Sequence, residues 1–218
     1  MKNLILAVSL TALSSLAVFS QTTTTDYKKG EFYVGYSNGQ VDTGLDTGNS
    51  VGSFFRDRAN FNGVDASGVY NVSRYFGVKG DFSATYNSTR FSDSFVDPVT
   101  STPFTASFKT TNSLYNVVGG VQVKDNSREG RFKPFGHAMV GLGHMRTKVS
   151  DVQCTPTLNC PVINESFSDN GFSGIFGGGL DFRVNDHFQI RAIQVDYNPI
   201  WANGDVNNNL RLGAGIVF

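Results

Sequence analysis

A chain of 218 residues with no net formal charge, 24 glycines, 19 phenylalanines and only 17% charged side chains has an unusual composition for a soluble enzyme. The charge balance argues against nucleic acid, which is usually met by a basic face. The length suits one domain.

The chain opens on "MKNLILAVSLTALSSLAVFSQ", with Lys2 as a short positive start and an apolar run from Leu4 to about Phe19. Val18 at −3, Ser20 at −1 and Gln21 at +1 form a cleavage site. Residues 1–20 therefore read as a secretory signal, because the run is short and lacks a charged stop-transfer flank. No cysteine lies near the site, so no lipoprotein is expected. Residues 21–218 form the expected mature domain, 198 residues (218 − 20) with formal charge −1 once Lys2 is removed. No later apolar run approaches the roughly 20 residues of a helical span. If this domain crosses a membrane, it crosses as a barrel.

Eight segments alternate at period two, the mark of a strand with two different faces. In "EFYVGYS", Phe32, Val34 and Tyr36 oppose Glu31, Tyr33 and Ser37. "GVDASGVYNV" sets Val64, Ala66 and Tyr70 against Asp65, Ser67 and Asn71. "FGVKGDFSATY" sets Phe76, Val78, Phe82 and Tyr86 against Lys79, Asp81, Ser83 and Thr85. "SLYNVVGGVQV" is less clean, its better apolar face running through Tyr115, Val117, Val121 and Val123, with Asn116, Gln122 and Lys124 opposite. "KPFGHAMVGLGH" opposes Ala138, Val140 and Leu142 to His137 and Met139. "GFSGIFGGGLDFRV" opposes Phe172, Phe176, Leu180 and Phe182 to Ser173, Asp181 and Arg183. "FQIRAIQVDYN" is the seventh segment, and "LRLGAGIVF" closes the set with Leu210, Leu212, Ile216 and Phe218 on one face and Arg211 on the other.

Three connections are short or compact: "NVSR", "KDNSREGRF" and "NDH". The other four, about residues 38–60, 87–110, 144–170 and 198–208, are polar and are expected to be long loops. An even strand count, with short turns at one rim and long loops at the other, predicts an all-β fold. It is an eight-stranded antiparallel up-and-down transmembrane β-barrel with the short turns in the periplasm. Lipid cannot satisfy backbone polar groups, so the sheet must close. It penalises charge on the outer face by about 2–4 kcal/mol at mid-depth for Arg or Lys.

The charges within the strands therefore belong inside. The clean strands send in Glu31, Asp65, Lys79, Asp81, Asp181, Arg183 and Arg211, four acids and three bases. An interior this narrow holds only its own side chains, so these groups are expected to form a packed network. Strands three and six are expected to contribute Lys79, Asp81, Asp181 and Arg183 to one charged layer or two adjacent ones. The seventh strand breaks the pattern: Arg191 facing in would send Gln194 and Asp196 out. A bulge near Ala192–Ile193 would restore both, adding Arg191 and Asp196 to the network.

The run "GGGLDFRVNDHFQIR", then "IQVDYNPIW" and the closing "NNNLRLGAGIVF", resembles the C-terminal half of the eight-stranded outer membrane protein β-barrel family. That family includes the transmembrane domain of outer membrane protein A and its small stand-alone relatives. The resemblance implies a Gram-negative outer membrane, contact with its lipids and lipopolysaccharide, and a final aromatic read by the barrel assembly machinery, here Phe218. Outer membrane protein A carries a peptidoglycan-binding domain after its barrel and this sequence has none, so no cell-wall tether is expected.

Signals for chemistry are few. Cys154 and Cys160 in "QCTPTLNCP" read as a disulfide closing a seven-residue loop in an exported chain, and no further ligand lies near enough for a metal. Asp42 with Asp46, or Asp93 with Asp97, lack a Ca²⁺-loop motif. His137 falls on the inner face, His144 at a strand end and His187 in a tight turn, none beside a serine in a nucleophile pattern. No cofactor, metal or catalytic residue is expected. A non-enzymatic monomer serving envelope integrity, or binding a surface ligand or host protein through four long loops, is the expectation. A lipid-modifying enzyme or a narrow pore is the alternative.

Overall fold

A computed structural model describes residues 27–42, 58–96, 103–127, 129–155, 164–185 and 187–218. The expected signal, residues 1–20, lies outside them, as do Asp46, Asp97 and Cys160. Eight strands run in chain order: β1 (Gly30–Asp42), β2 (Arg58–Asn71), β3 (Phe76–Val96), β4 (Pro103–Lys124), β5 (Phe132–Thr155), β6 (Glu165–Arg183), β7 (Gln189–Ala202) and β8 (Asp205–Val217). Each is antiparallel to its neighbours, and β1 pairs with β8, so the sheet closes into a barrel. Beyond the Tyr33–Val217 pair the seam continues through Phe218, whose N–H donates to the Phe32 carbonyl (2.8 Å) and whose carbonyl accepts from Phe32 N–H (3.2 Å). Every ladder in the barrel then has a partner, as a lipid environment demands.

The alternation read from the sequence sets the two faces. Val34, Tyr36, Val64, Val78, Phe82, Val117, Val140, Leu142 and Ile216 are exposed outside, while Tyr33, Asp65, Lys79, Asp81, Met139 and Arg211 are buried inside. The bulge in β7 lies where the mismatch of faces places it. The β7–β8 register jumps between Arg191 and Gln194, so that Arg191, Gln194 and Asp196 all face the interior and Val195 and Tyr197 face out.

Two rings of outward aromatics bound the barrel. Tyr70, Tyr75, Phe76, Phe132 and Phe218 lie toward the short turns; Tyr36, Tyr86, Phe172, Tyr197 and Trp201 lie toward the other end. On β3 the rings are ten residues apart (Phe76 to Tyr86), as they are on β6 (Phe182 to Phe172). At about 3.3 Å per residue and about 40° of tilt, that spans about 25 Å, the height of an outer-membrane apolar band. His144 belongs to the second ring, not to a strand end. It sits within β5 beside Tyr115, ring centroids 6.2 Å apart, and its Nδ1 donates to Asn170 Oδ1 at 2.7 Å.

The expected long loops need correction. Much of the stretches 87–110 and 144–170 is strand: β3 and β4 stay paired to Val96–Pro103, and β4 and β5 to Thr105–Thr155. The fourth expected loop is a tight hairpin. Ala202 pairs with Asp205, and between them Asn203 (φ 53°) and Gly204 (φ 90°) both take positive φ, the requirement of the two-residue turn that Asn-Gly favours. Polar composition was the misleading signal, because strands beyond the lipid need no apolar face.

Candidate functional site: barrel interior and outward sheet

The interior is built in layers. Nearest the short turns, Lys124 from β4 donates through Nζ to both carboxylate oxygens of Glu31 (3.0 Å each), to Asp181 Oδ2 (2.8 Å) and to Gln189 Oε1 (3.1 Å). Asp181 also receives Nε and Nη2 of Arg191 at 2.8 and 3.1 Å. The Arg191 guanidinium lies over the rings of Phe135 (4.0 Å) and Tyr33 (4.3 Å), stacking that suits a weakly hydrated planar cation. Its Nη1 reaches Gln194 Oε1 at 2.8 Å, and Gln194 Nε2 donates to Asp196 Oδ2 at 2.7 Å, which links this layer to the next.

Arg211 from β8 organises the second layer. Its guanidinium donates to Asp81 Oδ1 (2.8 Å) and twice to Asp196 Oδ2 (2.9 and 2.7 Å), and lies 3.4 Å from Asp65. His137 bridges from the side. Lys79 Nζ lies 3.2 Å from Nδ1, and Asp196 Oδ1 lies 2.9 Å from Nε2. An ammonium can only donate, so Nδ1 accepts and the ring proton on Nε2 is donated to Asp196. Lys79 lies 3.7 Å from Asp81. Above these charges a neutral layer follows: Asn198 donates to Ser173 Oγ (2.8 Å), Ser173 to Asn116 Oδ1 (3.0 Å) and Asn116 to Ser83 Oγ (3.3 Å). At the end away from the short turns the interior becomes apolar, with Val41, Phe61, Leu114 and Ile200 packed together against Ala59 and Met145. The opening left there is about 30 Å³, room for one or two waters.

The structure thus brings together Glu31, Asp181 and Arg191 in one layer and Asp65, Lys79, Asp81, Asp196 and Arg211 in the next. Arg183 stands apart from both. It lines a cavity of about 230 Å³ at the short-turn mouth, together with Lys28, Asn126 and Lys133. Strands three and six therefore contribute to two adjacent layers, the second of the two expected arrangements, with Arg183 outside both: Asp181 belongs to Lys124 and Arg191, while Lys79 and Asp81 belong with Arg211. The hub missed by sequence reasoning is Lys124, since the uneven pattern of β4 kept that strand out of the network. Parity carried the signal, because Lys124 opposes the outward Val117–Val123 face.

Among the described residues, β3 to β6 continue furthest beyond the second aromatic ring, as an exposed sheet. On its outer face, in line with Tyr86, Tyr115 and His144, stand Arg90, Lys109, Arg146 and Lys148. Arg90 is directly opposite Lys109, and Arg146 and Lys148 are two and four residues beyond His144. Asp151, at positive φ in a register shift opposite Phe108, faces Arg90 at 3.9 Å. Cys154, buried near the end of β5 opposite Ala106, is disulfide-bonded.

The family model for the outer membrane protein beta-barrel domain matches residues 10–218. The chain belongs to that family. Its members' location places this barrel in a bacterial outer membrane. Among solved structures, this family member is similar to Ail, the attachment invasion locus protein of Yersinia pestis, crystallised with the heparin analogue sucrose octasulfate. The identity is 20% over 88% of this chain and 100% of Ail, with TM-score 0.51. It is also similar to Neisserial surface protein A, at 12% identity over 88% of this chain and 98% of that one, TM-score 0.46. Comparison with curated proteins finds no match. The likeness to Ail bears on the barrel fold alone.

Proposed function

We propose that this barrel is a non-enzymatic surface-interaction protein, a monomer whose β3–β6 sheet projects from the cell and binds anionic polymers such as sulfated glycans or lipopolysaccharide phosphates. The observation that carries the reading is the outer face of that sheet, where Arg90, Lys109, Arg146 and Lys148 cluster just beyond the aromatic ring with Asp151 as their nearby acid. Two cations directly opposite on neighbouring strands repel each other, and a polyanion relieves that repulsion. The heparin analogue belongs to the Ail structure; on this chain the anionic preference rests on its own cations.

The orientation follows from the same reading: short turns in the periplasm, residues 1–20 removed on export, and Phe218 presented to the assembly machinery. Cys154 is paired with Cys160 in this proposal, tying the β5–β6 hairpin near its tip. A pore is disfavoured because the charged layers are capped by the apolar one, and apolar constrictions block ions by dewetting.

Refolded protein on immobilised heparin at low ionic strength tests the reading. Retention that falls steeply with salt is expected, with its loss when Arg90, Lys109, Arg146 and Lys148 are all changed to Gln while heat-modifiable gel migration is unchanged. Equal elution of the two proteins would reject the basic face as the contact. Steady large conductance in a planar bilayer would reject the filled interior.

A further inference from the structure

The cavity at the short-turn mouth has no part in the proposed surface role, and its walls have an unusual chemistry. About 230 Å³ lies between β1, β5, the neighbouring ends of β6 and β7 and the described residues of the turns after β4 and β6, with Lys28, Lys133 and Arg183 on its walls and Glu31 as the acid among the described wall residues. Glu31 is already committed, since both of its oxygens accept from Lys124 at 3.0 Å. The nearby Asp125 is committed as well: Arg74 donates to it at 3.1 and 3.3 Å and the Ser127 N–H at 3.0 Å. Lys133 is held by two backbone carbonyls, Asp125 O (2.9 Å) and Ser127 O (2.6 Å). These fix its ammonium without supplying a counter-charge, and one of its three N–H donors is left over.

Asn126 is the second observation. Its backbone is clamped, N–H to Arg74 O (2.9 Å) and O from Lys28 N–H (3.1 Å), and its side chain is 3% exposed on the cavity wall. Yet neither its Nδ2 nor its Oδ1 has a protein partner. Buried amides are nearly always satisfied, so a fixed and unused amide among cations marks a ligand position. Burial also holds the Lys28 ammonium below its ordinary pKa, outweighing the attraction of Glu31, a penalty that an anion would relieve.

We propose that this mouth is a binding site for a small tetrahedral oxyanion of the phosphate class, held by the ammonium groups of Lys28 and Lys133 and by Asn126 Nδ2. Asn126 Oδ1 would accept the hydroxyl of the monoprotonated form. The volume takes such an ion with several waters. A phosphate monoester would project its ester group through the mouth toward the short-turn side.

The test is a titration of refolded protein in neutral detergent with inorganic phosphate, at constant ionic strength set with chloride, following the Asn126 side-chain amide by NMR. Saturable movement of that signal is expected, with affinity lowered about tenfold or more by Lys28→Gln, since charge-assisted contacts are the strong ones. Lys133→Gln should do the same. If that variant misfolds through loss of the carbonyl contacts, Lys28→Gln decides alone, because Lys28 holds no turn together through its side chain. A phosphate-terminated monoester binding as tightly as phosphate would identify an esterified ligand as admissible; tighter binding of free phosphate would identify the inorganic ion. Absence of saturation, or equal affinity in wild type and Lys28→Gln, would overturn the site.

Discussion

Arg211 lies directly across the β7–β8 pairing from Asp196, whereas Arg90 lies opposite Lys109 and reaches its acid, Asp151, two strands away on β5; the two arginines inhabit different worlds. Arg211 is 4% exposed and lies among Asp65, Asp81 and Asp196, inside eight closed strands. Arg90 has a side chain 50% exposed, 3.9 Å from Asp151, on a sheet of four strands with nothing enclosed. The same period-two pattern runs through both regions, so alternation alone does not decide what a charge contributes. Closure does, by removing water from one face.

The largest effect is expected at Arg211. Arg211→Gln leaves three buried carboxylates short of their shared cation, and loss of one partner from a buried ionic group costs about 3–5 kcal/mol. Adding Asp81→Asn should recover much of that, because it removes the acid left without its cation and returns the layer to its wild-type net charge. Arg90→Gln should cost less than about 1 kcal/mol, the range of exposed pairs. Urea unfolding in micelles, read by heat-modifiable migration, measures all three. Equal losses for Arg211→Gln and Arg90→Gln, or additive losses in the double variant, would mean that closure is not what sets the difference.

The faces were legible in the sequence because lipid and interior impose opposite chemistry on adjacent residues, and even the β7 bulge follows from Arg191 and Asp196 needing the same side. Depth was not legible. Arg183 has the correct parity but sits at the end of β6, where its side chain meets the mouth cavity and Asp181 is left to Lys124 and Arg191. Parity also reached Lys124, although the adjacent Val117 and Val118 blurred β4 and hid its importance. The outward hairpins were illegible for a physical reason: with water on both faces, Ser, Thr and Asn suit a strand as well as a loop. The Asn203–Gly204 turn is different, since the dipeptide itself is a hairpin signal and a polar run of asparagines masked it.

A smaller effect should come from the cysteines, which sit in the outward region. A seven-residue disulfide loop is worth about 2 kcal/mol of chain entropy, but the proposed Cys154–Cys160 bridge constrains only the β5–β6 hairpin tip. Cys154→Ser with Cys160→Ser should therefore leave heat-modifiable migration and the urea midpoint of the barrel unchanged, while amide exchange speeds up near residues 150–155. A lowered barrel midpoint would show that the outward sheet and the closed barrel unfold as one unit.

The smallest effect belongs to the short-turn rim, outside both regions, where Arg74 and Asp125 pair with side chains 41% and 43% exposed. The hydrogen bond from Arg74, followed by the backbone N–H of Ser127, lowers the Asp125 carboxyl from 3.8 to about 2. A carboxyl with a depressed folded pKa binds its proton more weakly folded than unfolded. Its stabilisation is then full above about pH 4 and fades as the pH falls toward about 2. Exposure and salt screening keep the amount below about 1 kcal/mol. In Arg74→Gln the Asp125 carboxyl should titrate closer to its ordinary value in an NMR pH series, and the urea midpoint should lose part of its decline between pH 4 and pH 2. The buried pairs around Arg211 supply the contrast, because their loss shows at neutral pH. A wild-type Asp125 that already titrates near 3.8 would mean that water, not Arg74, governs this rim.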